Sequence, residues 1–230
     1  MPLDLIASCG LGSLLGMRHA LEPDHLTAVS TLVSEGHSTR RAAWLGVFWG
    51  LGHTFTLMIV GAALMLLRVE LPAVAADVFE LCVALMLIGL GVRAIVIAAR
   101  LGPSGPVHSH AHHGHVHSHR GAPSHVHIGT WTLARRPLLV GAVHGLAGSG
   151  AMTALVLTTL PTTAARLAYI VLFGIGSTVG MAALSGLLGW PLARAGGRRG
   201  VARTVSFAVG CVSVALGLFW GYPLVGRLLY

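Results

Sequence analysis

Of the 230 residues, 54% are hydrophobic and only 10% are charged, and the mean hydropathy is +0.78. Soluble domains carry roughly a quarter charged residues, so this balance excludes an ordinary water-soluble globule and points to lipid. The formal charge is +8 without a single lysine. Arginines lying between apolar segments suit membrane topology and anionic lipid better than a nucleic-acid face. Without the lysine of a phosphate-binding loop, the chain is not an ATPase subunit by itself.

A helix needs about 20 mostly apolar residues to cross the ~30 Å hydrocarbon core. On that scale the sequence predicts helices over 3–33, 41–67, 73–100, 138–160, 164–193 and 203–228. The fold class is therefore all-α, a polytopic membrane protein of about six transmembrane helices. The N-terminus has no basic region of the kind that marks a cleavable signal peptide. The 31 glycines fit membrane helices in close contact.

The first predicted helix carries Arg18-His19-Ala20-Leu21-Glu22-Pro23-Asp24-His25. Each charged group at mid-bilayer costs ~2.5–3.5 kcal/mol on insertion scales, so this cluster has to be paired, solvated or bound to something. His19, Glu22 and His25 advance by three residues each along one face. Pro23 cannot donate to the His19 carbonyl and crowds it, which kinks or opens the helix there. The opening would free that carbonyl and turn Asp24 toward the histidines. Imidazole nitrogen with carboxylate oxygen suits nickel, cobalt, zinc or copper rather than calcium or magnesium. The competing explanation is an internal salt bridge from Arg18 to Glu22 or Asp24.

The second helix holds His53, an intramembrane imidazole in need of a partner, and His144 stands similarly in the fourth. Both are candidate ligands beside His19, Glu22, Asp24 and His25. Cys9, Cys82 and Cys211 sit singly in apolar runs and read as small buried residues.

Between the third and fourth helices lies a polar segment rich in histidine: His108, His110, His112, His113, His115, His117, His119, His125 and His127. Such a composition binds late first-row metals without strict geometry, as a buffer or sensor rather than a permeation site. The chain so divides into a first three-helix repeat (1–100), a flexible His-rich loop (101–137) and a second three-helix repeat (138–230). Leu15–Leu21 resembles Val140–Leu146, and Phe48–Thr54 resembles Leu172–Thr178. An odd number of helices per repeat inverts the second copy, a recurring transporter architecture. Eleven arginines fall on the side of the 1–2, 3–4 and 5–6 loops against three on the other. This predicts a cell (plasma or inner) membrane protein with the His-rich loop in the cytoplasm and both termini outside.

His19-(four residues)-Asp24-His25 resembles the HX4DH signature of the nickel/cobalt transporter family. The string from Arg18 to Ser30 looks more like its shorter urease-accessory branch. Trp49–Thr54 is similar to that family's following helix, and His144–Ala151 to its second-half motif. The resemblance implies secondary transport of Ni2+ or Co2+, with His19, Asp24 and His25 as ligands and no bound cofactor. The chain departs from the longer transporters in carrying Ser149 and Gly150 where they have an acidic residue.

The favoured expectation is a non-enzymatic secondary transporter of nickel or cobalt, uptake ahead of efflux. Its partners are the divalent cation and the bilayer, with no nucleic acid. The alternative is a non-transporting metal-binding accessory that serves a metallochaperone or a metalloenzyme-maturation machinery. An exporter of metal or of small anions is a further reading; Glu22 and Asp24 would repel an anion. A membrane metalloenzyme is disfavoured by the absence of HExxH and the scarcity of intramembrane ligands.

Overall fold

A computed structural model describes residues 2–34, 38–67, 69, 71–72, 73–100, 107–112, 115–120, 134–147, 160, 162–194 and 199–229. In chain order these form α1 (Pro2–His19), α2 (Pro23–Val33), α3 (Thr39–Leu67), α4 (Ala73–Arg100), β1 (Val107–His112), β2 (His115–Arg120), α5 (134–147), α6 (Thr163–Arg194) and α7 (Arg199–Leu229). Four of these helices are long and apolar enough to cross a membrane, over Thr39–Leu67, Ala73–Arg100, Thr163–Pro191 and Gly200–Leu229.

The first predicted helix is two helices. α1 stops at His19, Ala20 to Glu22 form a turn, and Pro23 opens α2. The cause is local. Pro23 biases Glu22 toward extended backbone, observed at φ −64° and ψ 149°, and proline is tolerated in a first helical turn because the missing N–H would have no helical partner there. The His19 carbonyl is not left free as the sequence suggested. It accepts the Glu22 N–H at 3.0 Å, while the Leu26 N–H closes the first turn of α2 on the Glu22 carbonyl at 2.9 Å.

α2 is short and buried along most of its length. Its hydroxyls are satisfied by its own backbone: Thr27 donates to the Pro23 carbonyl at 2.6 Å, Ser30 to Leu26 at 2.6 Å and Thr31 to Ala28 at 2.7 Å. That lets the hydroxyls of a polar segment sit among the long helices with partners. α4 packs along α7, while α3 and α1 both pack along α6; α2 touches α3, α4, α6 and α7, so it lies between the two groups.

The helices approach closely at glycines. A Cβ on Gly16 of α1 would strike the Phe173 carbonyl of α6, and one on Gly176 of α6 would strike the Ser13 carbonyl. Likewise a Cβ on Gly141 of α5 would strike the Trp49 carbonyl of α3, and one on Gly52 of α3 the Leu138 carbonyl. Where α3 crosses α6, Gly50 abuts Thr178 and Gly174 abuts Thr54. Small residues at such points let backbones meet and gain dispersion contact that lipid cannot supply.

Three sequence expectations are modified. The described part of helix α5 begins at 134, inside the stretch assigned to the loop, and includes buried Pro137; the second half of the predicted helix 138–160 lies outside the described residues. Within the loop, β1 and β2 pair as an antiparallel hairpin, placing His108 opposite His119, His110 opposite His117 and His112 opposite His115. His113, His125 and His127 lie outside the described residues, as do Ser149 and Gly150. Cys82 and Cys211 are exposed rather than buried, because each falls on an outward flank of its long helix.

Candidate metal site

The break in the first helix assembles the site. His19 is the last residue of α1, Glu22 caps α2, and Asp24 and His25 fall in the first turn of α2, where unpaired backbone N–H groups favour a carboxylate. Asp24 accepts the His25 backbone N–H at 2.9 Å through Oδ1. The same oxygen lies 3.0 Å from His25 Nδ1, and Oδ2 lies 2.6 Å from His144 Nε2. Glu22 Oε1 lies 3.0 Å from His19 Nδ1. Both carboxylates are thus engaged by histidine. Arg18 is exposed and pairs with neither among the described residues, so the internal salt bridge considered from the sequence is not what holds them.

His53 reaches the same place from the middle of α3 and His144 from α5. His25 and His53 are 0% exposed and His144 is 2% exposed. The rings cluster tightly, with centroids 4.4 Å apart for His19 and His25, 4.0 Å for His25 and His144, and 5.3 Å for His19 and His53. Two overlapping donor sets result, His19–His25–His53 and Asp24–His25–His144, each with its nitrogen or oxygen atoms within 4.8 Å of one another.

The hydrogen bonds set what the rings offer. A carboxylate can only accept, so it fixes the N–H of its partner ring on the facing nitrogen. That puts the proton of His19 and of His25 on Nδ1 and leaves each Nε2 with its lone pair. Among the described residues, those Nε2 atoms are buried without a hydrogen-bond partner, as are His144 Nδ1 and both nitrogens of His53. Five imidazole nitrogens buried in one spot and unpaired are costly, at about 1–3 kcal/mol per group. Carboxylates behind histidines are also the usual second layer of a metal site, where they orient the ring and raise its basicity.

The structure therefore brings together all six residues singled out in the membrane portion, His19, Glu22, Asp24, His25, His53 and His144. It adds two that sequence reasoning passed over. The indole of Trp49 stacks on His25 at 5.4 Å and 22° between planes, and Phe173 lies 5.3 Å from His19. Trp49 was findable, since it stands one helical turn before His53 on the same face; Phe173 belongs to α6 and had no local signal.

A cavity of about 1010 Å³ runs beside the cluster, with His19, Glu22, Asp24, His25 and His144 on its wall. It extends between α4 and α7 to Glu80 and Arg227, two residues the motifs did not flag.

Fold and site together define a helical integral membrane protein with a histidine cluster buried between its helices. The chain belongs to the NicO family: the family model described as "High-affinity nickel-transport protein" matches residues 5–222. It is 32% identical over 222 residues to the urease accessory protein UreH of Bacillus sp. (strain TB-90), an alignment that covers 96% of this chain and 93% of that one. It is also 30% identical over 189 residues to the chloroplast protein FOR GROWTH AND FERTILITY 1 of Arabidopsis thaliana, covering 80% of this chain and half of that protein. No solved structure matches the chain.

Proposed function

We propose that this protein is a secondary transporter that carries Ni2+ inward across the cell membrane, Co2+ being the alternative cargo. The observation that carries the proposal is the set of unpaired imidazole nitrogens buried around His25. An incoming ion would exchange part of its hydration shell for His19 Nε2, His25 Nε2 and His53. Glu22 and Asp24 would act from behind, holding the rings of His19 and His25 in the tautomer that donates. His144, tied to the second oxygen of Asp24, would supply the next nitrogen along the path. Nitrogen donors of this kind favour late first-row metals, and the family match supports nickel among them.

The proposed mechanism is a rocking of two inverted repeats. Aligning Leu15–Leu21 with Val140–Leu146 and Phe48–Thr54 with Leu172–Thr178 equates Gly16 with Gly141, Phe173 with Trp49, and His19 with His144. The observed contacts obey that equivalence: Gly16 meets Phe173 as Gly141 meets Trp49, Gly176 meets Ser13 as Gly52 meets Leu138, and Gly50 meets Thr178 as Gly174 meets Thr54. That matched pairing of contacts supports the repeat. Metal would sit at the interface of the two copies, as in other inverted-repeat transporters. The arginine asymmetry orients the chain with the His-rich hairpin inside, where its histidines would buffer arriving metal.

The test is radioactive nickel accumulation in cells expressing the parent, His19→Ala and a deletion of 107–127, with membrane insertion verified for each. The proposal expects raised accumulation in the parent, its loss in His19→Ala and its survival in the deletion. The kinship to a urease accessory protein supports one further reading, a membrane metal store for enzyme maturation. That reading gains if only the deletion removes the effect. Accumulation by His19→Ala at the parental rate would sink the transport site.

A further inference from the structure

We infer that the cavity between α4 and α7 is the entrance through which the cation reaches the histidine cluster, with Glu80 as its recruiting residue and Arg227, braced by Asp77, as the charge that tunes it. The inference rests on the transport reading above and assigns the route and its outer residues.

The argument begins with charge. The chain has only seven acidic residues and a net charge of +8. Three of the seven, Glu22, Asp24 and Glu80, line this one cavity, and a fourth, Asp77, holds the arginine at its mouth. Against the chain's net positive charge, three carboxylates and one guanidinium leave this mostly apolar cleft net negative. A low-dielectric cleft with an excess of one charge raises the local concentration of the opposite ion.

The second observation is at the inner end. The cavity wall includes His25, fully buried, with Nε2 unpaired, and His19, whose Nε2 is also buried and unpaired. The side chains of His19 and His25 thus form part of the wall that Glu80 shares, with their unpaired nitrogens buried just behind it. Within α7, Pro223 cannot donate to the carbonyl of Phe219 four residues earlier. Both residues line the cavity.

The third is the geometry of the mouth. Arg227 Nη2 lies 2.8 Å from Asp77 but 3.9 Å from Glu80. Asp77 is the more sheltered carboxylate, at 20% side-chain exposure, against 53% for Glu80. Asp77 thus holds the guanidinium to one side and leaves the Glu80 carboxylate available to an incoming ion. Removing Asp77 would release Arg227 onto Glu80 and close off that charge. Because α4 begins and α7 ends at this face, the mouth opens on the side opposite the arginine-rich loops, the side from which an importer takes its cargo.

The experiment measures the initial rate of nickel entry against nickel concentration in cells, at low and raised ionic strength, with His19→Ala run alongside. Glu80→Gln is expected to raise the half-saturating concentration about tenfold with the maximal rate kept, and to flatten the salt dependence. Asp77→Asn should do the same, and adding Arg227→Gln to Asp77→Asn should restore the parental value. A purely structural role for the ion pair predicts the opposite, since the double variant would then be the worst folded. If His19→Ala is inactive while Glu80→Gln and Asp77→Asn keep parental half-saturation, the entrance inference falls and the transport site stands. A lowered maximal rate at unchanged half-saturation overturns it too. Parental entry by His19→Ala would remove the transport reading itself, and this inference with it.

Discussion

The crossing of α1 with α6 and the crossing of α5 with α3 are built alike, yet the chemistry is distributed unequally between the halves. In each crossing a glycine one turn before a histidine meets an aromatic residue's carbonyl: Gly16 before His19 against Phe173, and Gly141 before His144 against Trp49. In the aligned copies of the next motif, however, His53 of α3 corresponds to Ser177 of α6. His53 is fully buried in the cluster with both nitrogens unpaired, and Ser177 is fully buried with its hydroxyl unpaired. The two crossings are packed alike, and each brings one histidine to the cluster, but a third imidazole stands at position 53 where the matching position 177 has serine. At both crossings a Cβ on the glycine would strike a backbone carbonyl, so neither position has room for a side chain.

That comparison can be broken most decisively at the histidines. His53→Ala should abolish nickel accumulation, as His19→Ala should, whereas Ser177→Ala should keep at least about half of the parental rate. Equal losses in both would mean that the two halves share the chemistry after all. The scaffold is tested next. Gly16→Leu and Gly141→Leu each force a side chain into a backbone carbonyl across a crossing, and overpacking of this kind costs about 1–3 kcal/mol or more. Thermal unfolding of the purified protein in detergent should show both variants destabilised alike, and a tolerant Gly141 would argue against equivalent crossings.

A smaller effect sharpens the roles of the carboxylates. Glu22→Gln weakens the hold on His19 Nδ1 without removing the ring, and loss of such a partner typically lowers metal affinity about 10- to 100-fold. Nickel titration by calorimetry should register that drop with the protein still folded. No change would mean that Glu22 is merely a helix cap. Deleting 107–127 should matter least, altering accumulation only at the lowest nickel concentrations.

Much of the site was legible because its elements are local. HX4DH and Pro23 lie within eight residues, and the consequence of a proline for the backbone before it is a short-range matter. The membrane class followed from composition and segment length. Other features were invisible for the opposite reason. Phe173 comes to His19 from α6 and Glu80 to the cavity wall from α4, and no spacing along the chain encodes a meeting between helices tens of residues or more apart. The fate of the His19 carbonyl depended on a turn geometry, Glu22 folding back on it, that a rule about missing proline hydrogen bonds does not contain. The exposure of Cys82 and Cys211 was misjudged since an outward flank in lipid is as apolar as a core, so hydrophobic neighbours do not distinguish the two.

The sequence by itself determined that the chain enters the membrane, where its first helix breaks, and which histidines and carboxylates are at hand for metal. These are consequences of transfer free energy and of covalent restriction within a few residues. The tertiary structure alone decided that Asp24 reaches His144, that His53 joins the cluster, and that one cavity wall carries both His25 and Glu80. Those depend on how glycine contacts set the crossing of distant helices, and a close approach of backbones is fixed by both partners at once.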